Sequence, residues 1–265
     1  MNKIHPMACV SPEARLGDNV EVGPFAFIDA DVEIGDGCRI LNGATIYNHV
    51  KMGKDCTVFP GAVVGAIPQD LKFEGEESWV EIGDRVNIRE CATINRGTKA
   101  SGKGVTRVGS DTLVMSYAHI AHDCSVGCHC IIVSYAGLAG ETDVEDWGVL
   151  GGKSGSHQFS HIGTHAFVGA CAKITKDVPP YVLAGRDPIV FEGINRVGLL
   201  RRGFSEADVN EIKEIYDALY FKGMNVSQAV EYIEANFPVS EHRDRILGFI
   251  RSSKRGIVPK PRPAR

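Results

Sequence analysis

Residues 16–46 read LGDNVEVGPFAFIDADVEIGDGCRILNGATI, and a large aliphatic side chain falls on every sixth position of this stretch. The same spacing extends in both directions, from Ile4 to Ile174. A period of six fits neither a 3.6-residue helix nor an alternating strand. It is typical of a parallel β-helix, in which each hexad forms one short strand and one corner, and three hexads make one triangular coil of about 18 residues.

Small residues support this interpretation at a second position of each hexad. Four residues after each aliphatic the chain mostly places Ala, Cys or Val, as a tight interior corner requires. Gly often follows the aliphatic directly, as at Gly17, Gly23 and Gly35, where a corner needs a permissive backbone. A β-sandwich would instead show a period of two with irregular turns. The pattern therefore predicts an all-β solenoid with one continuous interior column of aliphatics.

The repeat is interrupted twice. Near residues 65–80 the interval between consecutive aliphatics lengthens from one hexad to three, and near residues 99–107 another interval exceeds two hexads. Extra residues in a solenoid leave it at corners, and such loops often carry function. We therefore expect an inserted loop in each of these two stretches.

Helix signals replace the repeat towards the end of the chain. Ser205 is followed three residues later by Asp208, which predicts a helix N-terminus, and Gly223 predicts the end of that helix. We expect a β-helix domain over residues 1–188 and a small C-terminal α-helical domain over residues 189–265. Further expected features are helices over residues 227–236 and 240–251 and a basic, mobile tail from Lys254.

Charge is divided unevenly along the chain. The net charge is −4, and residues 196–265 hold 13 Lys and Arg against 9 Asp and Glu, a net of +4, which leaves −8 for residues 1–195. A basic end on an acidic protein indicates an anionic partner, although a solvated helical face would give the same balance. We expect no nucleic-acid partner.

Compartment and metal content follow from apolar runs and cysteines. No apolar run approaches the length of a transmembrane helix and the N-terminus lacks a charged-then-apolar signal, so we expect a cytoplasmic protein without stable membrane insertion. Several of the eight cysteines occupy small corner positions, as core fillers in a reducing compartment would. Cys124, Cys128 and Cys130 lack the paired CxxC spacing of zinc sites, so no metal site is predicted.

The segment AHIAHDC at residues 118–124 is the best catalytic candidate. His122 is predicted to be a general base, because His suits proton transfer near neutral pH. Asp123 is a candidate to support it, but neighbours on a strand point to opposite faces, which leaves their pairing open. The three-hexad coil places Gly140 and Gln158 in one column with His122. Gly140 has no side chain, so its backbone N–H is predicted to be open to an oxyanion.

Motifs between the aliphatics resemble those of UDP-N-acetylglucosamine O-acyltransferases. They are IPQDLKFEGE (67–76), INRGT (94–98), AHIAHDC (118–124), LAGE (138–141), HQF (157–159), DVPPY (177–181) and INRVGLLRRGF (194–204). The resemblance covers nearly the whole chain. It implies a left-handed β-helix, a homotrimer with active sites between subunits, and transfer of a 3-hydroxyacyl chain from acyl carrier protein to the glucosamine 3-hydroxyl of UDP-N-acetylglucosamine, which begins lipid A biosynthesis. It implies no cofactor, because the donor is 3-hydroxyacyl-phosphopantetheine on the carrier protein.

The same resemblance assigns residues to the reaction and to the acceptor. It makes His122 the general base, Asp123 its supporting acid and Gly140 the oxyanion donor. The residues that it assigns to binding of the acceptor or the acyl chain are Asp70, Lys72, His119, His157 and Gln158.

Other residues are assigned by resemblance to the nucleotide, the carrier protein and the acyl chain. Asn195, Arg201 and Arg202 would face the nucleotide phosphates or the carrier protein, since guanidinium groups suit phosphate geometry. A surface basic pair before a helix is the simpler interpretation of Arg201 and Arg202. Phe167 and Ala170 would form a gate that sets acyl-chain length.

Three positions depart from the pattern of this family. Glu141 stands where many members carry His, Val197 where an acidic residue often contacts nucleotide, and Asn95 where His is common. These departures leave open a related acyltransferase that acts on a 3-amino sugar nucleotide by N-acyl transfer.

Three other functions fit a solenoid of this kind. The N-acyltransferase of the same pathway carries an additional N-terminal domain, whereas the repeat here begins at Ile4. A γ-class carbonic anhydrase needs three zinc-bound His, which His119, His122 and His157 could supply, but the usual H-x4-H spacing is absent. A non-catalytic scaffold would leave both loops and the histidines unexplained.

Overall fold

The computed structural model describes residues 1–261, and short strands fill its first two thirds. The strands are β1 (Lys3–Ile4), β2 (Cys9–Val10), β3 (Arg15–Leu16), β4 (Glu21–Val22), β5 (Phe27–Ile28), β6 (Val32–Ile34), β7 (Arg39–Ile40), β8 (Thr45–Ile46), β9 (Val50–Met52), β10 (Thr57–Val58), β11 (Val63–Ala66), β12 (Trp79–Ile82), β13 (Asn87–Ile88), β14 (Thr93–Asn95), β15 (Val105–Val108), β16 (Leu113–Val114), β17 (His119–Ile120), β18 (Ser125–Val126), β19 (Ile131–Ile132), β20 (Gly137–Leu138), β21 (Asp143–Val144), β22 (Val149–Leu150), β23 (Gly155–Ser156), β24 (His161–Ile162), β25 (Phe167–Val168), β26 (Lys173–Ile174), β27 (Val182–Gly185) and β28 (Val190–Ile194).

These strands close into a parallel β-helix with three sheets. Sheet A begins with β1, β4 and β7, sheet B with β2, β5 and β8, and sheet C with β3, β6 and β9. Residues that pair across uninterrupted coils are three hexads apart, as His119 pairs with Gly137 and Gly137 with Gly155. The triangular coil predicted from the six-residue period is confirmed.

The interior of the solenoid is the predicted column of aliphatic side chains. Ile28 and Ile120 are fully buried, and so are the corner cysteines Cys38, Cys56 and Cys124. Each buried Ile contributes about 1.5–3 kcal/mol relative to an exposed one. The stack of such side chains is the main source of stability, and the corner cysteines act as the small fillers that the repeat predicts.

Both inserted loops leave the solenoid along one edge. We call the line of corners between sheets B and C the BC edge. Residues 67–78 connect β11 in sheet B to β12 in sheet C, and residues 96–104 connect β14 to β15 in the same way. The corner after β17, which holds His122, follows on the next coil. Insertions and histidines therefore share one edge.

The solenoid ends in a hairpin and four helices. β27 pairs in parallel with β25 and antiparallel with β28, and the expected domain boundary at 188–189 lies in the turn of this hairpin. Ser205 and Asp208 form the expected capping box at the start of α2. The six-residue α1 was not predicted from the sequence, because it is too short to show an apolar stripe. The helices are α1 (Arg196–Arg201), α2 (Glu206–Phe221), α3 (Val226–Asn236) and α4 (Glu241–Ser252).

The expectation of a mobile tail is wrong for residues 254–261. Ile257 pairs with Asp177 of the last coil, and Val258 is fully buried and accepts a 2.8 Å hydrogen bond from the Tyr220 hydroxyl. These two apolar residues anchor an otherwise basic segment. The end of the predicted tail, 262–265, lies outside the described residues. Within residues 1–261, no helix has the length and apolar character that crossing a membrane requires.

Candidate active site

The column predicted on the BC edge is present. His122 and Gly140 occupy the same position of successive coils, because β17 and β20 pair in register. A Cβ atom added to Gly140 would lie 2.4 Å from both Cε1 and Nε2 of His122. The imidazole therefore lies directly against the bare backbone of Gly140, with no side chain between them.

The N–H groups at the hexad position of Gly140 are of two kinds: some donate to an aspartate of the next coil, and others, such as those of His122 and Gln158, have no acceptor in residues 1–261. The N–H of Asp18 donates to Asp36 Oδ1 at 2.9 Å, and that of Cys128 donates to Asp146 Oδ1 at 2.7 Å, one coil further on. In residues 1–261 the Gly140 N–H has no such acceptor. The N–H beside His122 is therefore free to bind a negatively charged oxygen.

Asp123 pairs with His122, which settles the point that the sequence left open. Asp123 Oδ2 lies 2.8 Å from His122 Nδ1, and the two residues are 0% and 8% exposed. The pairing is possible because Asp123 has φ of +60° at the corner, so the two side chains do not alternate as they would on a strand. This hydrogen bond holds the ring and leaves Nε2 facing outwards.

The two inserted loops reach this pair from the previous coils. Asp70 from the first loop places Oδ2 3.8 Å from His122 Nε2. Thr98 from the second loop donates its hydroxyl to Asp123 Oδ2 at 2.7 Å. Thr98 was not singled out from the sequence; the only signal was its place in the INRGT motif. Lys72 is exposed, and its N–H donates to Asp70 Oδ1 at 3.0 Å, which stiffens the loop turn.

The remaining predicted residues of this edge lie around the pair. His119 is half-buried with Nδ1 2.7 Å from Thr93 Oγ1, and burial together with the charge of His122 lowers its pKa below 6.5. His157 is exposed, with Nδ1 3.1 Å from the Gln158 carbonyl oxygen. Gln158 is half-buried one coil beyond Gly140.

A second group of predicted residues lies on sheet A instead. A groove of about 440 Å³ runs between the outer face of sheet A and α1. Its lining combines the predicted residues Phe167, Asn195, Arg201 and Arg202 with apolar side chains that include Val149 and Leu183. Cationic and apolar groups thus meet in one groove, as an acyl chain with a charged head would require.

Aromatic side chains hold Arg202 in this groove. Its guanidinium carbon lies 5.1 Å from the centre of the Trp147 ring, and its Nη1 lies 3.2 Å from His165 Nδ1. Burial lowers the pKa of Arg202, and burial with the nearby arginine charges lowers the pKa of His165 to about 4. The neutral His165 ring therefore accepts a hydrogen bond from the guanidinium. Asn195 caps α1 and donates to the His165 carbonyl oxygen at 2.9 Å.

The gate residues and the three departures have distinct places. Ala170 lies in the corner after Phe167, outside the lining of the groove. Glu141 follows Gly140 with φ of +57°, and Val197 is 60% exposed on the groove. Asn95 is buried and donates to the Ile67 carbonyl oxygen at 2.9 Å, so it anchors the first loop.

The BC edge and the sheet A groove remain separate within one chain. In residues 1–261 no hydrogen bond or ion pair joins the two groups of predicted residues. Nor does any group of three His, Cys, Asp or Glu side chains in this part of the chain have the spacing to hold a metal ion.

Comparison with known proteins identifies the family. An acyl-[acyl-carrier-protein]--UDP-N-acetylglucosamine O-acyltransferase of Thiobacillus denitrificans is 46% identical over 258 residues, which cover 97% of this chain and 100% of that protein. This chain belongs to the UDP-N-acetylglucosamine O-acyltransferase family. The family model for the second domain of UDP-N-acetylglucosamine O-acyltransferases matches residues 177–258, and a model for bacterial transferase hexapeptides matches residues 31–66.

Solved structures of the family agree with this assignment. The UDP-N-acetylglucosamine acyltransferase of Bacteroides fragilis is 45% identical, covers 96% of this chain and 99% of its own, and superposes with a TM-score of 0.93. That of Francisella novicida is 38% identical over 97% and 94% of the two chains, with a TM-score of 0.94. The likeness confirms the expected left-handed β-helix with a C-terminal helical part, and the expected enzyme class.

Proposed function

We propose that this protein transfers a 3-hydroxyacyl chain from acyl carrier protein to the glucosamine 3-hydroxyl of UDP-N-acetylglucosamine, the first step of lipid A biosynthesis. The observation that carries the mechanism is the position of the His122 ring. Asp123 holds the ring through a 2.8 Å hydrogen bond to Nδ1, and the ring lies against the bare backbone of Gly140. A base and a free N–H side by side are what acyl transfer to a hydroxyl needs. We further propose that the enzyme acts in the cytoplasm.

The reaction proceeds through two proton transfers at His122. Nε2 takes the proton of the sugar 3-hydroxyl as the oxygen attacks the thioester carbonyl carbon. The carbonyl oxygen becomes an oxyanion, which accepts a hydrogen bond from the Gly140 N–H. Collapse of this intermediate breaks the carbon–sulfur bond, and the imidazolium returns the proton to the departing phosphopantetheine thiolate. Asp123 stabilises the imidazolium throughout.

Side chains around His122 bind the acceptor. Asp70, 3.8 Å from His122 Nε2, is placed to accept hydrogen bonds from the sugar hydroxyls. Lys72 is exposed beside it and suits a phosphate. The remaining polar side chains assigned to the acceptor or the acyl chain are His119, His157 and Gln158.

The groove on sheet A binds the acyl chain and the charged ends of the substrates. Val149, Phe167 and Leu183 supply apolar surface for the chain. Of the two gate residues, Phe167 lines the groove and limits the length of the chain, whereas Ala170 lies outside this lining. Arg201 and Arg202, with Asn195, face the nucleotide phosphates or the acidic carrier protein.

A homotrimer is supported by the separation of these two groups of residues. One reaction needs the base on the BC edge and the groove on sheet A together, although no hydrogen bond or ion pair joins the two groups of residues within residues 1–261. A neighbouring copy that lays its sheet A groove against this BC edge would complete the site. His122 carries out both proton transfers of the proposed reaction. The reaction therefore uses no cofactor other than the phosphopantetheine that carries the acyl group.

Replacement of His122 tests this proposal. We expect His122→Ala to lower kcat by about 10²–10⁴-fold, the usual contribution of a general base, with an unchanged oligomeric state. Acyl transfer should be measured with UDP-N-acetylglucosamine and with its 3-amino analogue, using carrier-protein donors of several chain lengths. Retention of more than about a tenth of the activity would contradict the role of His122. A preference for the 3-amino acceptor would support the alternative that Glu141, Val197 and Asn95 leave open.

A further inference from the structure

Thr98, from the second inserted loop, makes more hydrogen bonds to Asp123 than His122 does. Its N–H lies 3.0 Å from Oδ1 and 3.1 Å from Oδ2, and its hydroxyl donates to Oδ2 at 2.7 Å. Oδ2 is also the atom that pairs with His122 Nδ1. Thr98 is 1% exposed and Asp123 is fully buried. Both oxygens of the carboxylate are thus hydrogen-bonded by one residue, which shares Oδ2 with the histidine.

The loop is shaped to make these contacts. Gly97 passes so close to the other strand of the loop that an added Cβ would lie 2.2 Å from the Val105 nitrogen and 2.7 Å from Asp123 Oδ1. On the far side, the Thr106 hydroxyl accepts a 2.8 Å hydrogen bond from the Asp123 N–H. The inserted segment therefore holds Asp123 between two threonines, one at each end of the loop.

A carboxylate buried this completely tends to take up a proton unless donors stabilise its charge. Protonated Asp123 would stabilise an imidazolium poorly, and a rotated one would not fix the tautomer that leaves Nε2 free. We propose that Thr98 is a positioning residue for the reaction: its hydroxyl and N–H keep Asp123 ionised and oriented, so that His122 presents Nε2 as the base. This role rests on the proposed function of His122.

Other charged groups face the pair and contribute to its titration. Asp70 lies near His122 Nε2, and His119 adds its charge when protonated. The Lys103 ammonium donates to the Asp123 carbonyl oxygen at 3.3 Å and pairs with Asp143 at 2.9 Å. None of these four groups bonds to the Thr98 hydroxyl, whose remaining contact is a long 3.4 Å hydrogen bond from the Ser101 N–H. A change on removal of this hydroxyl therefore reports on Thr98.

The test compares Thr98→Val, which keeps the shape and the N–H but loses the hydroxyl, with Thr98→Ser, which keeps both donors. Loss of a hydrogen bond to a charged group should lower kcat of Thr98→Val by between about ten- and hundredfold, with little change in KM. The donor stabilises the deprotonated pair, so its loss should move the acid limb of the pH profile of kcat/KM to higher pH. Thr98→Ser should restore both the rate and the profile.

A second measurement keeps the proposal independent of activity. With ¹⁵N-labelled histidine, the His122 ring in the parent protein should show the Nδ1–H tautomer at neutral pH, and Thr98→Val should weaken this preference for one tautomer. A folded Thr98→Val with the parent's kcat, pH profile and ring signals would overturn the proposal, as would equal losses in the Val and Ser variants. If His122→Ala retained activity while the ring signals changed as expected, the proposed base would fail and the role of Thr98 in fixing the pair would stand.

Discussion

Gly140→Ala should cripple the enzyme without unfolding it. The added Cβ would lie 2.4 Å from His122 Nε2, whereas ordinary contacts begin at 3.4 Å, so the ring has to retreat by about 1 Å. Gly140 does not have the left-handed backbone conformation that would strain an alanine. A misplacement of about 1 Å in a reacting group costs about 10²-fold in rate, which corresponds to about 2.7 kcal/mol. The methyl group also covers the N–H that binds the oxyanion, which adds to the loss.

The assay is single-turnover acyl transfer at saturating substrate, with the thermal midpoint measured alongside. Gly248→Ala is the matched control, because Gly248 is exposed on α4 and an added Cβ there meets nothing within 4 Å. We expect the control to keep the parent rate. Gly140→Ala should lose most of the rate while its thermal midpoint stays close to that of the parent protein. A folded Gly140→Ala with the parent kcat would refute the placement of the base and the oxyanion donor.

Two further outcomes follow, one from the sheet A groove and one from the ion pair of His161 and Glu145, whose Nε2 and Oε1 atoms lie 2.9 Å apart. Trp147→Ala should raise KM for the nucleotide or the carrier protein by about two- to fivefold, because it removes the cation–π contact to Arg202. Trp147→Phe is the control and should keep most of the affinity. Steady-state kinetics at two salt concentrations would show this difference, and unchanged KM values would count against it. Burial lowers the pKa of His161, but the hydrogen bond and charge of Glu145 outweigh it and raise the pKa above 6.5. The protonated ring therefore stabilises the fold fully below pH 6.5, and this stability is lost as pH rises through the raised pKa. The thermal midpoint should fall over that pH range. His161→Gln should abolish this pH-dependent fall.

The sequence predicted those features that depend on a fixed spacing. His122 and Gly140 are three hexads apart, which is one full coil, so one lies over the other whatever the intervening side chains are. The same holds for the α2 capping box at Ser205, because a local hydrogen-bond pattern needs only neighbours in the chain.

Features that depend on corner conformation or on distant contacts were not predicted. The His122–Asp123 pair needs φ of +60° at Asp123. Asp tolerates this conformation, but its presence in the sequence does not predict it. Thr98 reaches Asp123 only because its loop folds back along the BC edge, a path that no local pattern encodes. Val258 is buried because the last coil leaves apolar surface there, and basic neighbours masked this in the sequence.

The stacking of coils also determines how rigid the catalytic geometry is. A continuous ladder joins the coil of His122 to that of Gly140, with the Ala121 N–H donating to Leu138 and the Glu141 N–H to the His122 carbonyl oxygen, both at 3.0 Å. The distance between the base and the oxyanion donor is therefore fixed by the spacing of a hydrogen-bonded β-ladder. It does not depend on a closing motion. Little reorganisation is needed when charge develops on the substrate, and amide hydrogen exchange should be slow at the bonded amides of Ala121 and Glu141 and faster at the free amide of Gly140.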